Sequence, residues 1–131
     1  MKKLIPYLIL LVIFSCASLN RQKEIDLYLT NNPDIPVEIK NAIKSQKIII
    51  GMCPNEAVAA AGDPFFFVAK LDKKWPKGTY PPSVIMIQCE NPDSSIFTLT
   101  FSNTTQYDDK LNHNFSVKFV HGKATEIMKR S

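Results

Sequence analysis

The chain has 131 residues, of which 45% are hydrophobic and 21% are charged. This length and composition fit one globular domain and exclude a multidomain enzyme, a polytopic membrane protein and a disordered or collagen-like chain. Sixteen basic and 12 acidic residues give a formal charge of +4, which falls to +2 if Lys2 and Lys3 are removed with a leader. Because there is no basic run and no arginine cluster, a nucleic-acid partner is not expected.

The amino terminus has the layout of a secretory signal. Lys2 and Lys3 form a positive head, an apolar run follows from Leu4 to Phe14, and small residues come next. As a helix, this run would span about 16 Å, roughly half of the ~30 Å hydrocarbon core of a bilayer. We therefore predict a cleaved signal peptide over residues 1–15.

The sequence Ile13-Phe14-Ser15-Cys16 resembles a bacterial lipobox. Cleavage before Cys16 would leave this cysteine to carry a diacylglyceryl group and an N-acyl chain, which together give stable membrane anchoring. Residues 16–23 would then be a lipidated tether, and Ala17 after the cysteine indicates the outer membrane, facing the periplasm. No other cofactor is expected. An ordinary signal peptide with an incidental cysteine is the alternative.

Two further cysteines, Cys53 and Cys89, remain in the mature chain. An even number in an oxidising compartment favours a disulfide. Closing that loop would stabilise the fold by about 4 kcal/mol in the chain-entropy model. Two buried reduced thiols are the alternative, since they would behave as small apolar side chains.

Helical patterns occupy the first half of the mature chain. Apolar residues between Glu24 and Thr30 predict a short helix that ends before Asn31-Asn32-Pro33. Asp34 is then the N-cap candidate of a second helix, with Pro36 in its first turn. One face of this helix is predicted to be buried, because its residues recur every three to four positions. They are Ile35, Ile39, Ala42, Ile43 and Gln46.

A turn at Gly51-Met52-Cys53 leads into a predicted third helix. Pro54 suits its first position, and Glu56 can complete a capping box with residue 53. Gly62 is expected to end the helix in a left-handed conformation, because Pro64 prevents it from continuing.

The second half changes to a period of two, which is typical of strands. A tight turn is expected at His121-Gly122. The predicted strands are Phe65 to Leu71, Val84 to Cys89, Ile96 to Phe101, a segment around Phe115 to Phe119, and Lys123 to Met128. We therefore predict a single α+β domain over residues 24–131, with two to three short helices packed on one face of a four- to five-stranded antiparallel sheet.

The motif Gly51-Met52, nine residues, then Gly62-Asp63-Pro64 resembles the signature of the SmpA/OmlA (BamE-like) small outer-membrane lipoproteins. This resemblance implies the β-lactamase-inhibitor-protein-like fold. It also implies a membrane-anchored, non-enzymatic interaction or assembly module that contacts envelope proteins, including the outer-membrane assembly machinery. The alternative is a binding or inhibitory domain of the same fold that is directed at a single target protein.

Residues able to carry chemistry are few. His113 and His121 are interpreted as surface loop histidines, and Asp108-Asp109 with Glu90 as solvated turn residues, because the spacing of a metal site is missing. A nucleophile, base and orienting group cannot be assembled from these residues. We expect no enzymatic activity and no metal.

The loop Asp72 to Pro82 is the best binding candidate in the sequence. Aromatic anchors within a lysine-rich, proline-restrained segment are typical of protein contact surfaces. The candidate residues are Lys73, Lys74, Trp75, Lys77 and Tyr80. The alternative is that Trp75 folds back to close one end of the core.

Overall fold

The computed structural model describes residues 20–70, 88–92 and 96–130. The helices are α1 (20–31), α2 (Val37–Lys44) and α3 (Pro54–Ala61), and the strands are β1 (Phe66–Lys70), β2 (Ile96–Asn103), β3 (His113–Val120) and β4 (Lys123–Arg130). Neighbouring strands pair antiparallel in the order β1-β2-β3-β4. The predicted α+β class is confirmed, with three short helices and four strands. Within the described ranges, no helix is long and apolar enough to cross a membrane.

The chain divides into two compact units, Met1–Ile35 and Pro36–Ser131. In the first unit, α1 begins at residue 20, four residues before the expected start. Ile25 and Leu29 are buried and four residues apart, as one helix face requires.

The second unit begins with α2, whose start differs from the prediction. Asp34 is exposed in the preceding turn and does not cap the helix, because the N-cap position is taken by Pro36. A proline fixes φ and pre-organises the helix start without any side-chain hydrogen bond. Of the predicted stripe, Ile43 is completely buried and Ile39 is half-buried.

The segment after α2 is bound to the loop between β2 and β3. The Ile48 N–H donates to Gln106 Oε1 at 2.7 Å, and Gln106 Nε2 donates to the Ile48 carbonyl at 2.9 Å. Thr105 Oγ1 donates to the Gln46 carbonyl at 2.6 Å, and Lys47 Nζ pairs with Asp108 at 2.7 Å. This long loop is therefore held by side-chain bonds rather than by strand pairing.

Helix α3 follows its predicted capping. The Cys53 N–H donates to Glu56 Oε1 at 2.9 Å, and Pro54 is the first helical residue. Gly62 ends the helix with φ +88° and ψ −173°. The positive φ confirms the need for glycine, while the ψ value places Gly62 in an extended, glycine-only region instead of the expected left-handed one.

The sheet presents one phenylalanine-rich face to α3. Phe97 stacks on Phe119 with ring centroids 5.2 Å apart, and Phe101 stacks on Phe115 at 5.7 Å. These are cross-strand pairs in the β2–β3 register, and α3 packs on β2. The buried core of the second unit comprises Ile43, Ile48, Met52, Ala57, Ala60, Phe97, Leu99, Phe101, Phe115, Val117, Phe119 and Ala124.

The segment before α3 is hydrogen-bonded to the backbone of β4. The Gly51 N–H donates to the Ala124 carbonyl at 2.9 Å, and the Ala124 N–H donates to the Met52 carbonyl at 2.7 Å. Gly51 has φ +96°, and Met52 is fully buried. The Gly-Met pair thus fixes the start of α3 against the sheet.

A disulfide between Cys53 and Cys89 confirms the predicted pairing. It joins the α3 N-cap to residues 88–90, which form a turn, so the expectation that a strand runs to Cys89 is wrong at its end. The rest of that expected strand lies outside the described residues. The N–H of Asn55 also donates to Cys89 Sγ at 3.4 Å. This turn is therefore tied to α3 by one covalent bond and one hydrogen bond.

The β3–β4 turn packs closely against the same segment. His121 and Gly122 both have positive φ, as in a type I′ hairpin, which confirms the predicted tight turn. A Cβ on Gly122 would lie 2.5 Å from the Gln88 carbonyl oxygen and 3.0 Å from Pro92 Cβ. Gly122 is therefore required both for the turn and for this contact.

We predict that Gly122→Ala destabilises the fold more than Gly51→Ala does. Both glycines have positive φ, and a left-handed alanine costs about 1–2 kcal/mol. Only at residue 122 does the new Cβ meet backbone atoms, which adds about 1–3 kcal/mol of overpacking. Urea unfolding followed by circular dichroism measures both changes. Equal losses of unfolding free energy in the two variants would contradict the packing argument.

Candidate functional site

Most of the site residues predicted from the sequence lie outside the described part of the chain. They are Cys16 at the start of the expected tether and Lys73, Lys74, Trp75, Lys77 and Tyr80 in the proposed binding loop. The lipid anchor and the Trp75 loop therefore stay predictions. The described residues instead show a different surface, on which large apolar side chains are exposed.

This surface is the face of the sheet opposite the phenylalanine core. Residues paired across antiparallel strands point to the same side, so Phe66 shares the side of Thr100, and Val68 shares the side of Thr98. The exposed fraction is 54% for Phe66 and 51% for Val68, and Phe65 beside them is 60% exposed. Three large exposed apolar side chains therefore lie on or directly before β1, which is an outer strand among those that the structure describes.

The centre of the same face is polar but closed. Thr100 Oγ1 and Ser116 Oγ share a hydrogen bond of 2.9 Å, and both residues are buried. Because the two hydroxyls are hydrogen-bonded to each other, neither is left to bind an incoming polar group.

A groove of about 310 Å³ crosses one end of this face. It is lined by Phe65, Phe66, Thr100, Asn114 and Arg130. Asn114 and Arg130 are paired in the β3–β4 register, so the groove joins an apolar wall on β1 to polar and cationic side chains on β3 and β4. We call this set the Phe66–Arg130 groove. Its residues are capable of binding but supply no nucleophile and base in contact.

The groove is not evident in the sequence, because Phe66 and Arg130 on its two walls are 64 positions apart. Phe65-Phe66-Phe67 was assigned to a strand, but three consecutive phenylalanines give no alternation and do not show which ring is exposed. Phe67 contacts Phe97 with centroids 6.1 Å apart, whereas Phe66 lies on the open side.

A second polar cluster lies where the β2–β3 loop meets β3. His113 Nε2 lies 2.6 Å from Asp109 Oδ2, and the Tyr107 ring meets His113 edge-on at 5.2 Å. Lys129 Nζ lies 4.8 Å from the centre of the Tyr107 ring. His113 is thus a half-buried strand residue, and its interpretation as a surface loop histidine is wrong because pairing with Asn103 extends β3 to it. His121 is exposed in the turn, as expected.

The pKa values of two groups in this cluster, Asp109 and Tyr107, are shifted. The pKa of Asp109 is lowered, first by the hydrogen bond from the Leu111 N–H and next by the one from His113. Burial raises the pKa of Tyr107. The cluster therefore holds a carboxylate ionised beside an imidazole, which orders the loop.

The remaining acidic candidates do not converge. Asp108 pairs with Lys47, Asp109 with His113, and Glu90 is exposed in the turn that carries Cys89. Among residues 20–70, 88–92 and 96–130, no three His, Cys, Asp or Glu side chains are placed to hold a metal ion.

Comparison of the chain with family models, curated proteins and solved structures finds no match. The resemblance to the SmpA/OmlA lipoproteins therefore remains a prediction carried by Gly51-Met52 and Gly62-Asp63-Pro64. In the structure these residues start and end α3, a role that their backbone conformations explain.

We predict that Asp109 titrates below its usual range in the folded protein and contributes to the pH dependence of stability. Because the folded pKa is the lower one, its stabilisation is fully present above the unfolded value and is lost as pH falls through the folded pKa. Asp109→Asn should therefore make unfolding less sensitive to acid below about pH 4. Carboxyl NMR titration measures the pKa directly. His113→Gln should raise it only in part, since the Leu111 N–H remains; an unperturbed pKa in the wild type would contradict the assignment.

Proposed function

We propose that this protein is a membrane-anchored lipoprotein of the bacterial envelope that works, without enzymatic activity, as a protein-interaction or assembly module. The observation that carries the proposal is the exposed apolar cluster of Phe65, Phe66 and Val68 on the open face of the sheet. Exposed apolar side chains that lie together, rather than singly, are typical of contact surfaces.

The energetics of this cluster suit a specific but modest contact. Complete burial of a large apolar side chain contributes about 1.5–3 kcal/mol, and each of these three is already close to half covered. The cluster can therefore contribute a few kcal/mol, which association costs would largely offset. Additional polar contacts or a membrane that concentrates both partners must supply the rest.

The envelope location is supported by two independent features. The Cys53–Cys89 disulfide suits an oxidising compartment, and the leader-like residues 1–15 suit export. A lipid on Cys16 would confine the domain to a membrane surface and raise its effective concentration toward other membrane proteins.

We predict that the chain is acylated at Cys16. Cells grown with labelled palmitate should incorporate the label into the wild-type protein and not into Cys16→Ala, because the thiol is the acceptor of the diacylglyceryl group. Cys89→Ala is the matched control, and it should keep the label. An unlabelled wild type that is nevertheless exported would show an ordinary signal peptide.

We predict that Phe66→Ser combined with Val68→Ser abolishes partner capture while the fold stays intact. Both side chains are more than half exposed, so the loss of folding free energy should be within about 1 kcal/mol. In-cell crosslinking followed by purification and mass spectrometry reads out the partners. Leu111→Ser is the matched control, since Leu111 is 62% exposed on the β2–β3 loop.

The crosslinked proteins also distinguish the two functions considered. An assembly module should recover envelope assembly proteins, whereas an inhibitory domain should recover one enzyme whose activity falls on binding. Capture that is unchanged in the Phe66/Val68 double variant would contradict the proposed surface.

A further inference from the structure

Arg130 is a cation without a counter-charge in the described structure. Two other cations of the chain have partners: Lys47 pairs with Asp108, and Lys129 lies over the Tyr107 ring. Within residues 20–70, 88–92 and 96–130, no carboxylate lies within ion-pair distance of the Arg130 guanidinium, which lines the groove. A planar guanidinium is suited to a carboxylate, which it can bind through two parallel hydrogen bonds.

Asn114 adds a second donor beside this guanidinium. The two residues are directly paired between β3 and β4, so their Cβ atoms lie about 4.5–5.5 Å apart on the same face. Both side chains are exposed. One carboxylate can therefore accept from the guanidinium and from the Asn114 amide together.

The opposite wall of the groove is apolar. Phe65 and Phe66 form it, and the floor is Thr100, whose hydroxyl is already bonded to Ser116. A volume of about 310 Å³ is at the lower end for a ligand pocket and has room for a few side chains. The groove is therefore complementary to a ligand that carries an apolar group close to an anion.

We infer that the Phe66–Arg130 groove binds an extended segment of a partner protein that carries a bulky apolar side chain and, close to it in the sequence, a carboxylate. The apolar side chain packs on Phe65 and Phe66, and the carboxylate bonds to Arg130 and Asn114. This inference deepens the proposed function and rests on it.

An extended peptide fits this groove better than a free lipid or metabolite. Small-molecule sites usually enclose 70–90% of their ligand, whereas the aromatic wall here is more than half open to solvent. Peptides laid along a sheet face or edge need only shallow side-chain sites of this kind.

The test uses the full lipidated chain in phosphatidylcholine vesicles and an array of heptapeptides. Each peptide carries one phenylalanine and one aspartate, separated by one to five positions, in a serine and glycine background. Binding should require both the phenylalanine and the aspartate. Replacing the aspartate of the tightest-binding peptide with asparagine should weaken binding about tenfold, because one charge-assisted contact is lost.

Three variants assign the contacts. Arg130→Gln should bind the aspartate and asparagine peptides equally, and Phe66→Ser should bind neither. Lys118→Gln is the matched control: it removes one positive charge from the same sheet face, where Lys118 is paired with Thr98, but leaves the groove intact. It should keep the tenfold preference. A preference for aspartate that persists in Arg130→Gln, or the same effect in Lys118→Gln, would overturn the inference.

Two further outcomes separate this inference from the proposed function. Suppose that Phe66→Ser with Val68→Ser abolishes crosslinking to envelope proteins but Arg130→Gln changes neither crosslinking nor peptide preference. The inference that Arg130 binds a carboxylate is then wrong, while the proposed protein-interaction function is supported. If the chain binds vesicles containing phosphatidylglycerol through Arg130 and no peptide, the ligand is a lipid surface and the peptide is excluded. If the double variant captures all partners, both proposals fail.

Discussion

The structure depends on covering a wide phenylalanine face with a very short helix. Helix α3 has eight residues, four of which are alanine, and a helix of this length does not form by itself. It is held at its start by three constraints: the Cys53–Cys89 disulfide, the Glu56 cap, and the backbone bonds that join Gly51 and Met52 to Ala124. Small side chains at Ala57 and Ala60 then allow the helix to approach the stacked rings closely. Covalent and backbone ties thus replace the length that α3 lacks.

The other face of the sheet is exposed at Phe66, Val68, Asn114 and Arg130 and buried at Thr100 and Ser116. The core face uses the large side chains of β2 and β3, while the open face has the hydroxyl pair of Thr100 and Ser116 at its centre. The side chains of Phe66 and Val68 remain more than half exposed, and we propose a contact with another protein as the reason.

Local patterns in the sequence predicted the elements that local physics controls. Alternation indicated β2 and β3, and the cap residues around Cys53 and Gly62 marked both ends of α3. The prediction was wrong at Asp34, where a proline occupied the cap position, and at Cys89, where the disulfide and a turn replaced the end of a strand. The groove could not be predicted, because Phe66 and Arg130 meet only through the register of four strands. No local period carries that information.

The Cys53–Cys89 disulfide and the Phe66–Arg130 groove lie far apart on the sheet. The disulfide, Gln88 and Gly122 lie at the end of the sheet where β3 turns into β4, whereas Asn114 and Arg130 lie toward its other end. Val120 lies six positions after Asn114 on β3, which is about 20 Å of extended chain. Changes so far apart act independently on stability. Substitutions in the proposed binding surface should therefore leave the stability contributed by the disulfide-linked end unchanged.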